Sequence, residues 1–132
     1  MFKLSDDKPT AFFDVDDTLV MWWSDWSKIR NPQRIKSKEK CIELKDPRDN
    51  KSIFLKVHWD HVQQIKEHKL RGHNTVVWSA GGSDWAEEVV NKLELNDYVD
   101  IVISKPHWWY DDLNAEEILL PNLKRYIKYE QK

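Results

Sequence analysis

Short apolar runs that alternate with stretches of helical spacing are the feature that most constrains the fold of this chain. Runs typical of buried strands lie at residues 10–15, 74–79 and 99–103, and a fourth is predicted at 107–110. Strands that alternate with helices favour a parallel sheet, because a parallel connection needs a crossover segment long enough to hold a helix. The pattern therefore predicts an α/β fold with a mainly parallel sheet.

The residues between these runs predict two crossover helices. Apolar side chains recur at helical spacing over residues 59–70, which predicts the first helix. The second helix is predicted to begin at Ser83 or Asp84 and to end at about Leu95. Glu87 follows Asp84 by three positions, so we expect these two residues to form a capping box at the start of that helix.

A β-hairpin is predicted where alternating runs at 40–45 and 52–57 flank a stretch rich in turn-forming residues. We expect it to form a small flap or cap, inserted at about residues 21–57 of a single domain that spans 1–132. A chain of this length is long enough for one domain with a modest core. A final helix is predicted over 122–130.

The composition argues against several classes of protein. The net charge is −2 and 33% of the residues are charged, which gives no overall bias toward nucleic acid or membrane surfaces. No apolar run approaches the roughly 20 residues of a membrane-spanning helix, and the N-terminus lacks the apolar segment of a signal peptide. Cys41 is the single cysteine, so an internal disulfide is excluded and we expect a reducing, cytoplasmic setting.

Reactive polar residues stand at the carboxyl end of each predicted strand. Asp14 ends the first strand and Ser79 the second, while Lys105 follows the third and Asp111 ends the fourth. Ligands of open α/β sheets bind at this edge, near the point where the strand order reverses. We therefore expect these four side chains to converge, although they are far apart in the sequence.

The residue types in this set predict phosphoryl transfer. Asp14, Asp16 and Asp17 lie within four positions, and a divalent cation would offset their repulsion. Oxygen ligands without His or Cys suit Mg²⁺. Lys105 favours an anionic substrate, and the two glycines shortly after Ser79 allow a loop whose backbone approaches phosphate oxygens. Because one carboxylate can attack phosphorus and another can protonate the leaving oxygen, the set predicts a metal-assisted reaction through an aspartyl-phosphate.

Four motifs resemble those of the haloacid dehalogenase (HAD) superfamily and occur in the same order. Asp-Val-Asp-Asp-Thr-Leu-Val at 14–20 resembles the first motif, a strand followed by Asp-x-Asp-x-Thr/Val-Leu/Val. The apolar run that ends in Ser at 76–79 resembles the second, Lys-Pro at 105–106 the third, and Asp-Asp at 111–112 the acidic fourth. The resemblance covers roughly residues 11–113 and implies a HAD-like Rossmannoid three-layer fold with a small β-hairpin flap.

The resemblance also implies a role for each residue of the motifs. Asp14 would be the nucleophile and a metal ligand. Asp16 would be the general acid/base and would give its backbone carbonyl to the metal. Ser79 and Lys105 would hold the transferring phosphoryl group.

Further residues complete the site that we predict. Asp111 would bind Mg²⁺ directly, and Asp112 would bind it directly or through water. The predicted metal ligands are thus four: Asp14, Asp16, Asp111 and Asp112. The predicted substrate-binding residues are Thr18, Trp22, Ala80 and Gly81.

The aspartate at position 16 discriminates within the superfamily. Members that remove halogens or pump ions lack an aspartate there, whereas phosphatases and phosphomutases have one that protonates an oxygen leaving group. We therefore expect a Mg²⁺-dependent phosphoric monoester hydrolase. One departure is that only residues 106–110 separate the Lys from the acidic motif, too few for the helical crossover of most members. This short spacing resembles that of small, nearly capless members.

The substrate is suggested by the small flap and by local charge. A site without a large cap suits a bulky phosphate, and residues 28–40 carry six Lys or Arg against one Glu. Trp22, Trp23 and Trp26 precede them, and positive charge beside aromatics can bind a nucleotide or a single-stranded nucleic-acid end. The alternative is a solvated hairpin edge. We expect no membrane and no obligate protein partner.

Two other functions fit the same residues. One is a HAD-like binding module that holds nucleic acid or a protein partner through the basic flap. The other is a phosphotransferase, which passes the phosphoryl group to an acceptor other than water. Filled positions in all four motifs favour the hydrolase over the binding module.

Overall fold

The computed structural model describes residues 4–22 and 41–112 of the chain. These residues form strands, α-helices and a short 3-10 helix that alternate along the chain. In order they are β1 (Thr10–Asp14), β2 (Val20–Met21), β3 (Cys41–Lys45), β4 (Ser52–Val57), α1 (Trp59–Leu70), β5 (Asn74–Ser79), α2 (Ser83–Lys92), the 3-10 helix (Asn96–Tyr98) and β6 (Ile101–Ser104).

A parallel three-stranded sheet in the order β1-β5-β6 confirms the predicted α/β class. Phe12 of β1 pairs with Val76 of β5, and Val77 of β5 pairs with Val102 of β6. Helix α2 lies between β5 and β6 in the sequence and packs on both strands. Because all three strands run the same way, their carboxyl ends lie at one edge of the sheet.

The predicted hairpin is confirmed by strands β3 and β4, which pair antiparallel with Leu44 opposite Ile53. Its loop is closed by the Asp46 N–H, which donates to the Lys51 carbonyl, and by the Asn50 N–H, which donates to the Asp46 carbonyl. Arg48 donates two side-chain bonds to the Asp46 carboxylate. Strand β2, which the sequence does not predict, adds to the other edge of β4. Strands β2, β4 and β3 therefore form a second, three-stranded sheet that is joined directly to the loop that follows β1.

Helix α1 has the bounds predicted for it, and His58 caps its start by accepting the backbone N–H of His61 on Nδ1. Helix α2 ends at Lys92, three residues before the predicted Leu95. Its predicted capping box is wrong, because Gly82 is the N-cap residue and makes no side-chain cap bond.

A contact from another strand takes over part of that capping role. The hydroxyl of Ser104 in β6 accepts the backbone N–H of Ser83 at 2.8 Å. Ser104, which is distant in the sequence, thus accepts one of the free N–H groups at the start of α2. The sequence predicts that a side chain of α2 itself would cap this helix.

The predicted strand at 107–110 is also wrong, since this segment has no strand structure. Trp108 and Tyr110 are 81% and 96% exposed, so they do not form the buried run that the sequence suggests. Strand β6 is Ile101–Ser104 rather than 99–103, and residues 99 and 100 connect it to the 3-10 helix that ends at Tyr98. The predicted helix at 122–130 and the basic run at 28–40 lie outside the described residues.

A hydrophobic cluster joins both sheets and both helices. It includes Val15, Leu19, Ile65, Val77 and Val89, all of them fully buried. Burial of each such side chain stabilises the fold by about 1.5–3 kcal/mol. Because Val15 and Leu19 belong to the loop after β1, the core anchors the segment that carries the predicted catalytic aspartates.

No helix among residues 4–22 and 41–112 has the length and apolar character needed to cross a membrane.

Asp100 connects the parallel sheet to helix α1. Its carboxylate accepts bonds from the Lys69 ammonium and from the backbone N–H of Thr75. Burial opposes ionisation of Asp100, but these hydrogen bonds outweigh that effect and hold its pKa below the ordinary value. The ionised carboxylate therefore contributes stability above the pKa of the unfolded chain, and the contribution is lost as the pH falls through the folded-state pKa.

We predict that Asp100→Asn flattens the acid side of the stability profile. The free energy of unfolding in urea should be lower than in the parent at pH 7, and it should fall less between pH 7 and pH 3. Asp97→Asn, at an exposed position of the 3-10 helix, is the matched control and should keep the parental pH dependence. Equal pH profiles for Asp100→Asn and the parent would contradict this prediction.

Candidate active site

The loop after β1 holds the first motif in a tight turn. The backbone N–H groups of Leu19 and Val20 donate to the Val15 carbonyl at 2.9 and 3.2 Å. Val15, Leu19 and Val20 are fully buried, so the apolar residues of the motif face the core. Asp14 and Asp16 are only partly buried, and they lie at and just after the carboxyl end of β1.

The Asp14 carboxylate meets two of the residues predicted to share its site. The Lys105 ammonium lies 3.0 Å from Oδ1, and the Thr18 hydroxyl donates to Oδ2 at 3.2 Å. Lys105 is held in turn by its backbone N–H, which donates to the Ser79 carbonyl at 2.9 Å, and its ammonium lies 5.7 Å from the centre of the Trp78 ring. The ends of β1, β5 and β6 thus bring Asp14, Ser79 and Lys105 together, as the sequence predicts.

The Asp16 carboxylate accepts hydrogen bonds from three side chains. The indole N–H groups of Trp22 and Trp85 both donate to Oδ1 at 2.9 Å. The Ser79 hydroxyl donates to Oδ2 at 3.0 Å. Trp85 is not predicted from the sequence, because its spacing on α2 is that of an ordinary core residue. Its hydrogen bond to Asp16 depends on how α2 packs against the loop after β1.

The loop after β5 is shaped by its glycines. The Ser79 hydroxyl accepts the backbone N–H of Gly81 at 2.9 Å while it donates to Asp16. A Cβ atom at Gly81 would lie 3.1 Å from the Trp85 ring and 3.3 Å from that hydroxyl, closer than most such contacts. Gly82 has a φ of +105°, which favours glycine. Ala80 and Gly81 are exposed, so both predicted substrate-binding positions lie at the surface of the site.

Asp17 has a structural role. It has a φ of +60°, is 7% exposed, and accepts the backbone N–H of Trp22 on Oδ1. Its own backbone N–H donates to the Val20 carbonyl at 2.7 Å. The third carboxylate of the cluster therefore faces inward and braces the turn between β1 and β2.

The predicted metal ligands are only partly brought together. Asp14 and Asp16 share the site, whereas Asp111 and Asp112 are exposed residues without regular structure. In the part of the chain that the structure describes, no group of three or more His, Cys, Asp or Glu side chains is placed to hold a metal ion. The predicted strand at 107–110 does not form, so no sheet register fixes Asp111 beside β1.

A pocket of about 240 Å³ borders the Asp16 side of the site. Pro47 and Arg48 of the hairpin loop form part of its wall. The Arg48 guanidinium lies 5.3 Å from the centre of the Trp22 ring. Trp22 is predicted to bind substrate; in the structure it is 8% exposed and its indole N–H faces Asp16. The pocket is lined by Asp16, Trp22, Pro47, Arg48, Gly81 and Trp85.

We predict that Asp17→Ala destabilises the fold by about 1–3 kcal/mol in urea unfolding, because it removes a buried acceptor and leaves an alanine at positive φ. Asp17→Asn should cost less, since asparagine keeps an acceptor oxygen and adopts this backbone conformation more readily. Exposed Asp97→Ala serves as the control. If Asp17→Ala changed stability no more than Asp97→Ala, the bracing role would be wrong.

Comparison with protein-family models, with curated proteins and with solved structures gives no match for this chain. Its function is therefore inferred from the side chains that meet at the carboxyl edge of the sheet. These comprise a carboxylate paired with a lysine, a second carboxylate held by three donors, and a serine between them.

Proposed function

We propose that this protein is a HAD-like, Mg²⁺-dependent phosphomonoester hydrolase that acts through an aspartyl-phosphate. The observation that carries the proposal is the meeting of four predicted catalytic residues at one edge of the sheet: Asp14, Asp16, Ser79 and Lys105. They come from three strand ends that are far apart in the sequence. A carboxylate beside an ammonium group suits attack on an anionic phosphate ester, because the cation offsets repulsion between the nucleophile and its substrate.

The reaction is assigned to the two carboxylates. An oxygen of Asp14 forms a bond to phosphorus while the bond from phosphorus to the leaving oxygen breaks, and Asp16 gives that oxygen a proton. Asp16 then takes a proton from the water that attacks phosphorus, which frees Asp14 and releases inorganic phosphate. Lys105 and Ser79 hold the phosphoryl group through both steps, and Thr18 orients the Asp14 carboxylate.

Mg²⁺ is part of the proposal because the available donors suit it. Asp14, Asp16, Asp111 and Asp112 offer oxygen ligands only, the donor type that this ion prefers. Of these, Asp14 and Asp16 share the site, whereas Asp111 and Asp112 lie in the exposed segment after β6 and are proposed as further ligands. When bound, the ion supplies positive charge next to the phosphoryl oxygens.

The proposed substrates are nucleotides or single-stranded nucleic-acid ends that carry a phosphate. Lys105 is followed at a short distance by exposed aromatic side chains, Trp108, Trp109 and Tyr110, which are 81%, 56% and 96% exposed. Exposed aromatic rings near a phosphate site allow bases to stack, and such stacking tolerates any sequence.

We predict that Asp14→Asn lowers turnover of p-nitrophenyl phosphate by roughly 10³-fold or more, because the amide cannot attack phosphorus. The free energy of unfolding should stay close to that of the parent. Asp97→Asn, far from the site in the 3-10 helix, is the matched control and should keep full activity. Hydrolysis by Asp14→Asn at the parental rate would overturn the covalent mechanism.

We predict that removal of divalent cations with a chelator lowers kcat/KM on the order of 100-fold, and that added Mg²⁺ restores it. Mg²⁺ should also raise the Tm of the parent, since it binds the folded chain. The double variant Asp111→Asn/Asp112→Asn should lose most of that Tm shift. An equal shift in both proteins would exclude this pair as ligands.

A panel of phosphates separates the competing functions. Sugar phosphates, mononucleotides and 3′- or 5′-phosphorylated oligonucleotides are incubated with the protein and Mg²⁺, with and without an added alcohol acceptor. Release of inorganic phosphate supports the hydrolase, whereas transfer to the alcohol supports a phosphotransferase. Absence of turnover over the whole panel, together with salt-sensitive binding of DNA or RNA, would support the binding module instead.

A further inference from the structure

Two tryptophan indoles converge on one oxygen of the proposed acid/base. Trp22 follows strand β2 and Trp85 lies in the first turns of α2, yet both N–H groups donate to Asp16 Oδ1 at 2.9 Å. The Ser79 hydroxyl fixes the other oxygen at 3.0 Å. The Asp16 carboxylate is thus held from three directions by side chains of three different segments.

The donors that hold Asp16 are themselves immobilised by packing. Trp22, Trp85 and Ser79 are 8%, 3% and 0% exposed, and both tryptophans belong to the hydrophobic core. Their ring centres lie 6.1 Å apart with an angle of 56° between the planes. An indole N–H can only donate, so two buried indoles can satisfy one acceptor in few side-chain orientations. The orientation of the Asp16 carboxylate is therefore set by the core rather than by its own loop.

Orientation matters for this residue because proton transfer depends on distance. A general acid must bring its oxygen within about 2.6–3.2 Å of the atom that it protonates. Asp16 borders the pocket that Arg48 and Pro47 of the hairpin loop complete. A leaving group that occupies this pocket would lie beside the carboxylate oxygens of Asp16.

We propose that Trp22 and Trp85 are positioning residues that hold the Asp16 carboxylate toward the leaving group of the phosphate ester. The inference rests on the proposed phosphatase function and adds to it two residues outside the four motifs. The indoles act through Asp16 and do not touch the phosphoryl group. Their effect therefore depends on how much protonation the leaving oxygen requires.

The test compares two leaving groups. The p-nitrophenolate anion is stable without a proton, whereas the alkoxide of an alkyl phosphate needs one as the bond to phosphorus breaks. For Trp85→Phe and Trp22→Phe we expect kcat on an alkyl phosphate to fall about 10-fold or more, and kcat on p-nitrophenyl phosphate to fall less than about 3-fold. KM should stay near the parental value for both substrates. Trp59→Phe, at a 57% exposed position in α1, is the matched control and should change neither rate.

A second background distinguishes positioning from a purely structural effect. In Asp16→Asn, which lacks the proton donor, adding Trp85→Phe should change kcat on the alkyl phosphate by less than about 2-fold. A structural role would lower the rate by a similar factor in both backgrounds. Equal losses on both substrates, with Asp14→Asn inactive, would overturn the positioning role while the phosphatase function stands. An active Asp14→Asn would overturn both.

NMR tests the hydrogen bonds in proteins that keep both tryptophans, so the result does not depend on whether a tryptophan variant folds. The indole ¹H–¹⁵N signals of the parent are compared with those of Asp16→Asn, which replaces a charged acceptor by a neutral amide. We expect the Trp22 and Trp85 indole protons to move upfield, because hydrogen bonds to a carboxylate are stronger and shorter. The Trp59 signal serves as the internal control. Unchanged Trp22 and Trp85 signals would overturn the proposed contact.

Discussion

The Asp16 carboxylate is the acceptor on which the arrangement of the site depends. It joins the loop after β1 to the end of β5 through Ser79, to the residue after β2 through Trp22, and to helix α2 through Trp85. These segments come from both sheets and from helix α2, and the same tryptophans pack in the core. The proposed acid/base thus also links these segments through its hydrogen bonds, so a change in core packing would alter the position of its carboxylate.

Three neighbouring carboxylates are tolerated because each is offset by a different kind of partner. Asp14 faces the Lys105 ammonium, Asp16 accepts neutral N–H and O–H donors, and Asp17 accepts a backbone N–H of the turn. Their side chains point in different directions, since the turn between β1 and β2 is tight and Asp17 has positive φ. Asp14 and Asp16 therefore share one site with different partners, while Asp17 faces inward, and these partners reduce the repulsion that the sequence suggests.

Much of the fold could be predicted from periodicity. The bounds of α1 and β5 match the predicted 59–70 and 74–79, because their apolar patterns and flanking turn residues agree with the tertiary structure. The prediction fails where local signals compete with long-range partners. The predicted capping box on α2 does not form and the Ser83 N–H donates to the Ser104 hydroxyl instead, while the aromatic run at 107–110 does not add to the sheet. Among the residues of the site, Trp85 and Arg48 carry no sequence signal because their roles arise only from contacts across the fold.

The sequence by itself determined the alternation of β1, the β3–β4 hairpin, α1, β5, α2 and β6, and placed Asp14, Ser79 and Lys105 at or just after strand ends. It could do so because side-chain periodicity is a local property, and parallel strands carry their carboxyl ends to a common edge. Only the tertiary structure decided that Ser79 and two buried indoles donate to Asp16, and that Asp17 turns inward to brace the backbone. Hydrogen bonds between distant residues depend on distances and angles that packing sets, and the spacing of residues along the chain does not encode them.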